Sequence, residues 1–144
     1  MLYMGNAASA NNLLNFEDMQ NILAKPGGFL MINTLSSADQ SCLIKKSINA
    51  GSEEEIINKC IDTRSTTIMV IIYGRNANDR SPYVKQQQLA KMGFHKVYVY
   101  PGGMFEWLLL QDIYGSDVFP TTIPERDLLK YKPKQALYSN LIEY

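Results

Sequence analysis

Residues Thr66 to Gln88 read TTIMVIIYGRNANDRSPYVKQQQ, and this stretch decides the fold. It begins with the apolar run Ile68 to Ile72, whose β-branched residues are typical of a strand buried on both faces. The polar loop Gly74 to Arg80 follows, and then Ser81 and Pro82 supply the start signals of a helix. A strand, a tight loop and a helix in this order bring backbone N–H groups and a helix N-terminus around one point. That arrangement predicts a site for an anion.

Gly74 occupies the end of this predicted strand, where a reacting side chain would lean over the loop N–H groups. Covalent catalysis there needs a nucleophilic side chain, and glycine supplies none. The residues therefore predict a binding loop and no catalytic residue. The predicted anion-binding residues are Gly74, Arg75, Asn76, Ala77, Asn78, Asp79, Arg80 and Ser81.

Short apolar runs and amphipathic helices alternate on both sides of this stretch. The alternation is typical of an α/β fold in which a parallel sheet is flanked by helices on both faces. Ligands of such sheets bind beyond the carboxyl ends of the strands, and Gly74 to Arg80 lies at such an end. The predicted strands are 29–35, 47–50, 67–73 and 96–100, and the predicted helices are 16–24, 36–43, one from Ser52, one from Ser81 and 104–114.

A helix start is predicted at Ser52 because three glutamates follow it, and carboxylates in the first turn stabilise the positive end of the helix macrodipole. The predicted buried face of this helix contains Ile56, Ile57, Cys60 and Ile61. Cys60 is therefore interpreted as a small core residue rather than a reactive thiol.

The chain is predicted to have three segments. Residues 1–14 form a flexible N-terminal segment, residues 15–115 form the domain, and residues 116–144 form a C-terminal extension with a helix at 125–131. The extension carries large aliphatic residues that are costly to expose, so we expect it to dock on the core or on a second subunit. A protein partner or a homodimer contact through the extension follows from this expectation. The aliphatic residues are Leu128, Leu129, Leu137, Leu141 and Ile142.

Charge and cysteine content argue against several classes of function. Lys plus Arg and Asp plus Glu each number 14, so no charge excess favours nucleic acid as a partner. The two cysteines, Cys42 and Cys60, are too few for a disulfide-stabilised secreted scaffold and lack zinc-site spacing. No apolar run approaches the roughly 20 residues of a membrane-spanning helix. We therefore predict a cytoplasmic protein with no metal and no cofactor.

Residues 4–9 read MGNAAS, which matches the myristoylation pattern of Met-Gly, three residues and then Ser or Thr. The acyl group is attached to an N-terminal glycine, whereas Met1, Leu2 and Tyr3 precede this motif. Lipidation of Gly5, and with it membrane association, is therefore expected only if translation starts at Met4. The alternative interpretation is a polar tail without a lipid.

The segment Tyr73 to Ser81 resembles the active-site loop of rhodanese-like domains, and the residues after it are similar to the downstream signature of that family. The similar positions are Leu89, Ala90, Gly93, Phe94, Val97, Val99, Gly102, Gly103 and Trp107. The resemblance covers Phe16 to Tyr114 and implies a parallel sheet of about five strands between two layers of helices. It also implies an ancestry among enzymes that carry a persulfide sulfur on a loop cysteine.

The chain departs from the family pattern at the reactive position. Gly74 stands where the family carries its cysteine, while the loop arginine and the following serine correspond to Arg80 and Ser81. The loop from Gly74 to Arg80 has seven positions, one more than is usual in sulfurtransferases and the length seen in related cell-cycle phosphatases. The resemblance thus implies an inactive sulfurtransferase homologue.

Two non-catalytic functions are compatible with these residues. In the first, the loop binds a small oxyanion, with Arg80 as a bidentate donor, although the neighbouring carboxylate of Asp79 would repel that anion. Asp79 and Arg80 are equally explained as residues that satisfy N–H groups at the helix start. In the second, the domain is a protein-interaction module.

The catalytic alternative is a sulfurtransferase or phosphatase-like enzyme with a relocated nucleophile. Cys42 is the candidate, because it precedes the predicted strand at 47–50 and could face the loop. A cysteine in an apolar setting is more often buried and inert, which favours the non-catalytic functions.

Overall fold

The stretch that contains Ile68 to Ile72 forms a strand inside a parallel sheet, in a computed structural model that describes residues 12–137. The strands are β1 (Phe29–Asn33), β2 (Ser47–Ile48), β3 (Met69–Tyr73) and β4 (Lys96–Tyr100). They are ordered β2-β1-β3-β4, and every pair is parallel. The prediction of an α/β fold with β3 inside a parallel sheet is confirmed.

Helices cover both faces of the sheet. They are α1 (Phe16–Leu23), α2 (Ala50–Asp62), α3 (Ser81–Lys91) and α4 (Gly103–Tyr114), and a 3-10 turn spans Ser37–Asp39. α1 and α4 pack on one face, and α2 and α3 pack on the other. No helix among residues 12–137 has the length and apolarity needed to cross a membrane.

Side chains that alternate along each strand build the two halves of the core. The first half lies under α1 and α4 and includes Met19, Ile22, Met31, Ile71, Tyr73 and Trp107. The second half lies under α2 and α3 and includes Ile32, Ile57, Val70, Ile72, Leu89 and Val99. β3 contributes to both halves, which explains why its sequence is a continuous apolar run.

The described part of the sheet has four strands rather than about five. A fifth chain segment lies beside β4 but forms a single parallel bridge, between Leu13 and Val99. The Val99 N–H donates to the Asn12 carbonyl at 2.9 Å, and the Leu14 N–H donates to the Val99 carbonyl at 2.8 Å. The pairing stops there because Asn15 begins α1 with a reciprocal capping box to Asp18.

The predicted start of α2 at Ser52 is wrong by two residues. The helix begins at Ala50, and Asn49 caps it by accepting a hydrogen bond from the Gly51 N–H at 2.9 Å. In the predicted buried face, Ile57 alone is fully buried, whereas Ile61 is 38% exposed. The helix packs on the sheet through a narrow stripe, so neighbouring positions remain partly in solvent.

The C-terminal segment packs back against the domain as far as it is described. Thr121 forms an antiparallel bridge with Ile44. The Thr122 N–H donates to the Leu43 carbonyl at 2.8 Å, and the indole N–H of Trp107 donates to the Pro120 carbonyl at 3.1 Å. Phe119 and Tyr131 are both buried in the core half that lies under α4. The division of the chain at 115 stays a prediction.

The helix predicted at 125–131 is wrong: residues 125–127 have no regular secondary structure, and residues 128–131 form a turn. Asp127 explains the difference, because its side chain accepts the Leu129 N–H at 3.1 Å. Its carbonyl accepts the Lys130 N–H at 3.2 Å. Asp side chains that bond to nearby backbone N–H groups compete with helix formation in this way.

Candidate functional site

The Gly74–Arg80 loop leaves the carboxyl end of β3 and is held by backbone bonds on two sides. The Met104 N–H donates to the Gly74 carbonyl at 3.0 Å, and the Phe105 N–H donates to the Arg75 carbonyl at 2.9 Å. The Thr34 N–H, just beyond β1, donates to the Tyr73 carbonyl at 2.9 Å. The loop is therefore fixed between the end of β1 and the first turn of α4.

Gly103 makes the close contact with α4 possible. Its φ is 63°, and a Cβ at this position would lie 2.6 Å from the Gly74 carbonyl oxygen. Glycine alone adopts this conformation readily and leaves room for the loop backbone. The resemblance included this glycine, and the structure gives its physical reason.

The carboxylate of Asp79 lies inside the loop and satisfies its N–H groups. Oδ2 accepts the Arg75 N–H at 2.9 Å, and Oδ1 accepts the Ser81 N–H at 2.9 Å. These are donors of the kind that an external oxyanion would use at the start of a helix. The loop thus binds a carboxylate of its own chain.

Gly74 has no room for a side chain in this arrangement. A Cβ built on Gly74 would overlap Asp79 Oδ2 and would lie 2.9 Å from both Pro82 Cγ and Thr34 Oγ1. Real Cβ atoms do not approach heavy atoms so closely. Position 74 therefore bears no reactive side chain, and the Asp79 carboxylate occupies the space into which a side chain would extend.

Asn76 connects the loop to the C-terminal extension. The Asn76 side chain is buried, with Oδ1 accepting the Asn78 N–H at 2.9 Å and Nδ2 donating to the Tyr131 carbonyl at 2.8 Å. A buried amide whose donor and acceptor are both used fixes its surroundings well. Tyr131 was not among the predicted site residues.

Arg75 points to the same part of the extension. Its guanidinium donates to the Lys130 carbonyl at 2.8 Å and lies 5.0 Å from the centre of the Tyr131 ring. It also lies 3.5 Å from the carboxylate of Asp39. Arg75 therefore holds protein groups rather than facing into the loop.

The remaining predicted loop residues face outward. Ala77, Asn78, Arg80 and Ser81 are exposed. Arg80 is the residue before α3, and among residues 12–137 it forms no ion pair. It lines a groove between α2 and α3 instead of pairing with Asp79. The oxyanion site formed by all eight loop residues stays a prediction.

Cys42 lies in the core, below the extension. The residue is 2% exposed. Its thiol donates to the Ile123 carbonyl at 3.2 Å. Burial raises the pKa of the Cys42 thiol above its ordinary value. A thiol held protonated and out of solvent is a poor nucleophile.

These features define a class of protein: an α/β domain with a parallel sheet flanked by helices, in which the Gly74–Arg80 loop follows the carboxyl end of β3. The family model described as Rhodanese-like domain matches residues 16–110. The chain belongs to the rhodanese-like domain family, and the predicted resemblance is confirmed. A comparison with curated proteins gives no match.

Solved structures of the same fold come from several organisms. The BH2092 protein from Bacillus halodurans is 16% identical, with a TM-score of 0.57, over 79% of this chain and 81% of that one. The rhodanese-like domain of Alr3790 from Anabaena is 18% identical, with a TM-score of 0.56, over 87% and 86%. Ygr203w, a yeast protein tyrosine phosphatase of the rhodanese family, is 17% identical, with a TM-score of 0.56, over 81% and 96%. At these identities the likeness concerns the fold.

The predicted lipidation position, Gly5, lies outside the described residues. Nothing in the structure bears on it.

Proposed function

We propose that this chain is a non-catalytic rhodanese-like domain that serves as a protein-interaction module. The observation that carries the proposal is the relation between Gly74 and Asp79. Gly74, which the sequence resemblance aligns with the family's cysteine, bears no side chain, and a carboxylate of the same chain occupies the space beside it. Transfer of sulfur or phosphate through a covalent intermediate requires a nucleophile at that point.

The loop geometry argues against oxyanion binding as the main function. An incoming sulfate or phosphate would have to displace the Asp79 carboxylate from the N–H groups of Arg75 and Ser81. It would also meet the negative charge of that carboxylate, since Arg75 extends toward Lys130 and Asp39. The interaction function needs no such displacement.

Activity assays test the absence of catalysis. We expect the purified protein to show no turnover of thiosulfate with cyanide and no hydrolysis of p-nitrophenyl phosphate above a buffer control. Cys42→Ser serves as the matched variant, because it removes the buried thiol and leaves Gly74 unchanged. Turnover that is lost in Cys42→Ser would contradict the proposal and establish the relocated nucleophile.

Calorimetric titration with sulfate tests the state of the loop. We expect no binding to the wild-type protein, and weak binding to Asp79→Asn, whose neutral side chain no longer repels an anion. Binding to the wild-type protein that Asp79→Asn leaves unchanged would contradict the assignment of Asp79 as the group that occupies the loop.

Location and further contacts stay predictions. We expect a cytoplasmic protein that reaches a membrane only if Gly5 is acylated, and the intact mass of the protein from its native host reports an acyl group directly.

The extension exposes Ile123 (46%) and Leu129 (57%). These side chains are available to a partner or to a second copy, and the mass of the protein in solution tests the homodimer.

A further inference from the structure

An open groove lies between α2 and α3, beside the Gly74–Arg80 loop. Its volume is about 820 Å³. The two helices face it with residues spaced three and four apart, from Ala50 to Asn58 on α2 and from Ser81 to Met92 along and just beyond α3. Leu35, Ile57 and Leu89 form an apolar floor.

One wall of the groove exposes apolar side chains. Val84 is 53% exposed and Met92 is 50% exposed, and both line the groove. They are eight positions apart in the chain, which places them roughly 12 Å apart along the helix axis. Because the floor residues are at most 5% exposed, Val84 and Met92 are the side chains that offer apolar contact area to an occupant of the groove.

The charges at the loop end of the groove are partly paired. Lys85 of α3 contacts Glu53 of α2 at 2.6 Å across the groove. Glu54 on the α2 wall and Arg80 on the α3 wall are exposed and form no ion pair with residues 12–137. The two walls therefore present one free charge each, of opposite sign.

The walls determine how an occupant can bind. Both are helices, whose backbone N–H and C=O groups bond within the helix, so no strand edge is available to an extended peptide. Recognition must come from side chains packed into the groove. α3 has 11 residues, a length of roughly 16 Å, which matches about three turns of a bound helix.

We propose that this groove binds an amphipathic helix of a protein partner. The partner helix presents a stripe of apolar residues to Val84 and Met92, above the apolar floor. It carries a basic side chain toward Glu54 and an acidic side chain toward Arg80. The proposal rests on the proposed interaction function and names the partner class for it.

Site-specific photocrosslinking tests the proposal in the full chain, produced in its native host. The photoreactive residue p-benzoyl-L-phenylalanine replaces Val84 in the groove or, as the matched control, Ile113. Ile113 is 68% exposed and belongs to α4 on the opposite face of the sheet. We expect an adduct from position 84 whose mapped partner peptide is an amphipathic helix with both charges, and no such adduct from position 113.

Charge reversals test the orientation. Arg80→Glu and Glu54→Lys are exposed changes, and thermal melting verifies that each variant folds. We expect each reversal to weaken binding of the mapped peptide, made synthetically, by about fivefold, the size of one exposed ion pair. A compensating reversal in the peptide restores binding.

Four results would overturn the proposal: no adduct from position 84, an equal adduct from position 113, a crosslink to a second copy, or a crosslink to residues 1–11 or 138–144 of the same chain. None of these results changes the outcome of the activity assays. The groove proposal can therefore fail while the absence of catalysis still holds, and the reverse is also possible.

Discussion

The carboxylate of Asp79 lies where a side chain on Gly74 would have to begin, and it accepts the N–H group of the next residue along, Arg75. Position 74 and position 79 are therefore coupled. A residue with a Cβ at position 74 cannot be introduced without moving the carboxylate, and the carboxylate cannot move without releasing the loop N–H groups.

A double-mutant cycle measures this coupling. Gly74→Ala should lower the free energy of unfolding by about 1–3 kcal/mol through overpacking. Asp79→Ala should lower it by about 1–3 kcal/mol because the N–H groups of Arg75 and Ser81 lose their acceptor. The double variant should lose less than the sum, since alanine at 79 makes room for the new Cβ. Urea denaturation gives all three values, and strict additivity would contradict the coupling.

Asn76 should be the residue through which the loop and the extension stabilise each other. Asn76→Asp keeps the acceptor for the Asn78 N–H but places a carboxylate against the Tyr131 carbonyl. We expect a loss of about 1–3 kcal/mol in the free energy of unfolding, the cost of an unsatisfied buried polar group. Gln87→Glu is the control, an exposed amide-to-acid change on α3. Equal stability of the two variants would refute this role.

Two buried tyrosines should respond in opposite ways to loss of the hydroxyl. Tyr131 Oη is buried without a hydrogen-bond partner among residues 12–137, so Tyr131→Phe should leave stability unchanged or raise it. Tyr73 Oη accepts the Ile44 N–H at 3.1 Å and lies 2.7 Å from Ser47 Oγ. Tyr73→Phe should therefore cost about 1–3 kcal/mol. Thermal and urea unfolding compare the variants, and a greater loss in Tyr131→Phe would be the contrary result.

The protein should lose stability at alkaline pH. Burial raises the pKa of Tyr73, and burial together with the hydrogen bond to Glu106 raises the pKa of Tyr100. In the unfolded chain both phenols ionise near pH 10, whereas the folded protein keeps them protonated. The free energy of unfolding is therefore highest below that pH and falls as the pH rises through it.

Urea unfolding between pH 8 and pH 11 measures this fall. Each phenol contributes a slope of up to about 1.4 kcal/mol per pH unit. Tyr100→Phe should flatten the curve, and Tyr98→Phe, at a half-buried position on the same strand, is the control. A stability that stays constant to pH 11 would show that these phenols titrate normally in the folded protein.

The sequence predicted those parts of the fold that depend on local pattern. The buried strand β3 and the helix start at Ser81 each follow from residues that are neighbours in the chain. The capping position of α2 was missed because Asn49 and Ser52 are both residue types that cap helices well, and the helix begins after the earlier one.

The candidate site was predicted less completely, because its contacts join distant parts of the chain. Sequence reasoning left open whether Arg80 binds an anion or whether Asp79 and Arg80 satisfy N–H groups at the helix start. The bond from Asn76 to Tyr131 spans 55 residues, and no periodicity or motif indicates it. The fifth strand was expected from the family, but its length depends on where Asn15 begins α1.

The antiparallel pairing of residues 43–45 with residues 120–122 has a consequence for folding during synthesis: this part of the domain can form only after the later segment has been made. Leu43 and Thr122 lie 79 positions apart, so Cys42 to Ile44 are made long before the residues that cover them. Contacts of such long sequence separation form late, because bringing the two segments together costs conformational entropy before the contact contributes any stabilisation. A nascent chain that has just completed β4 would therefore still expose this patch, and the domain would finish folding only once Tyr131 has been added.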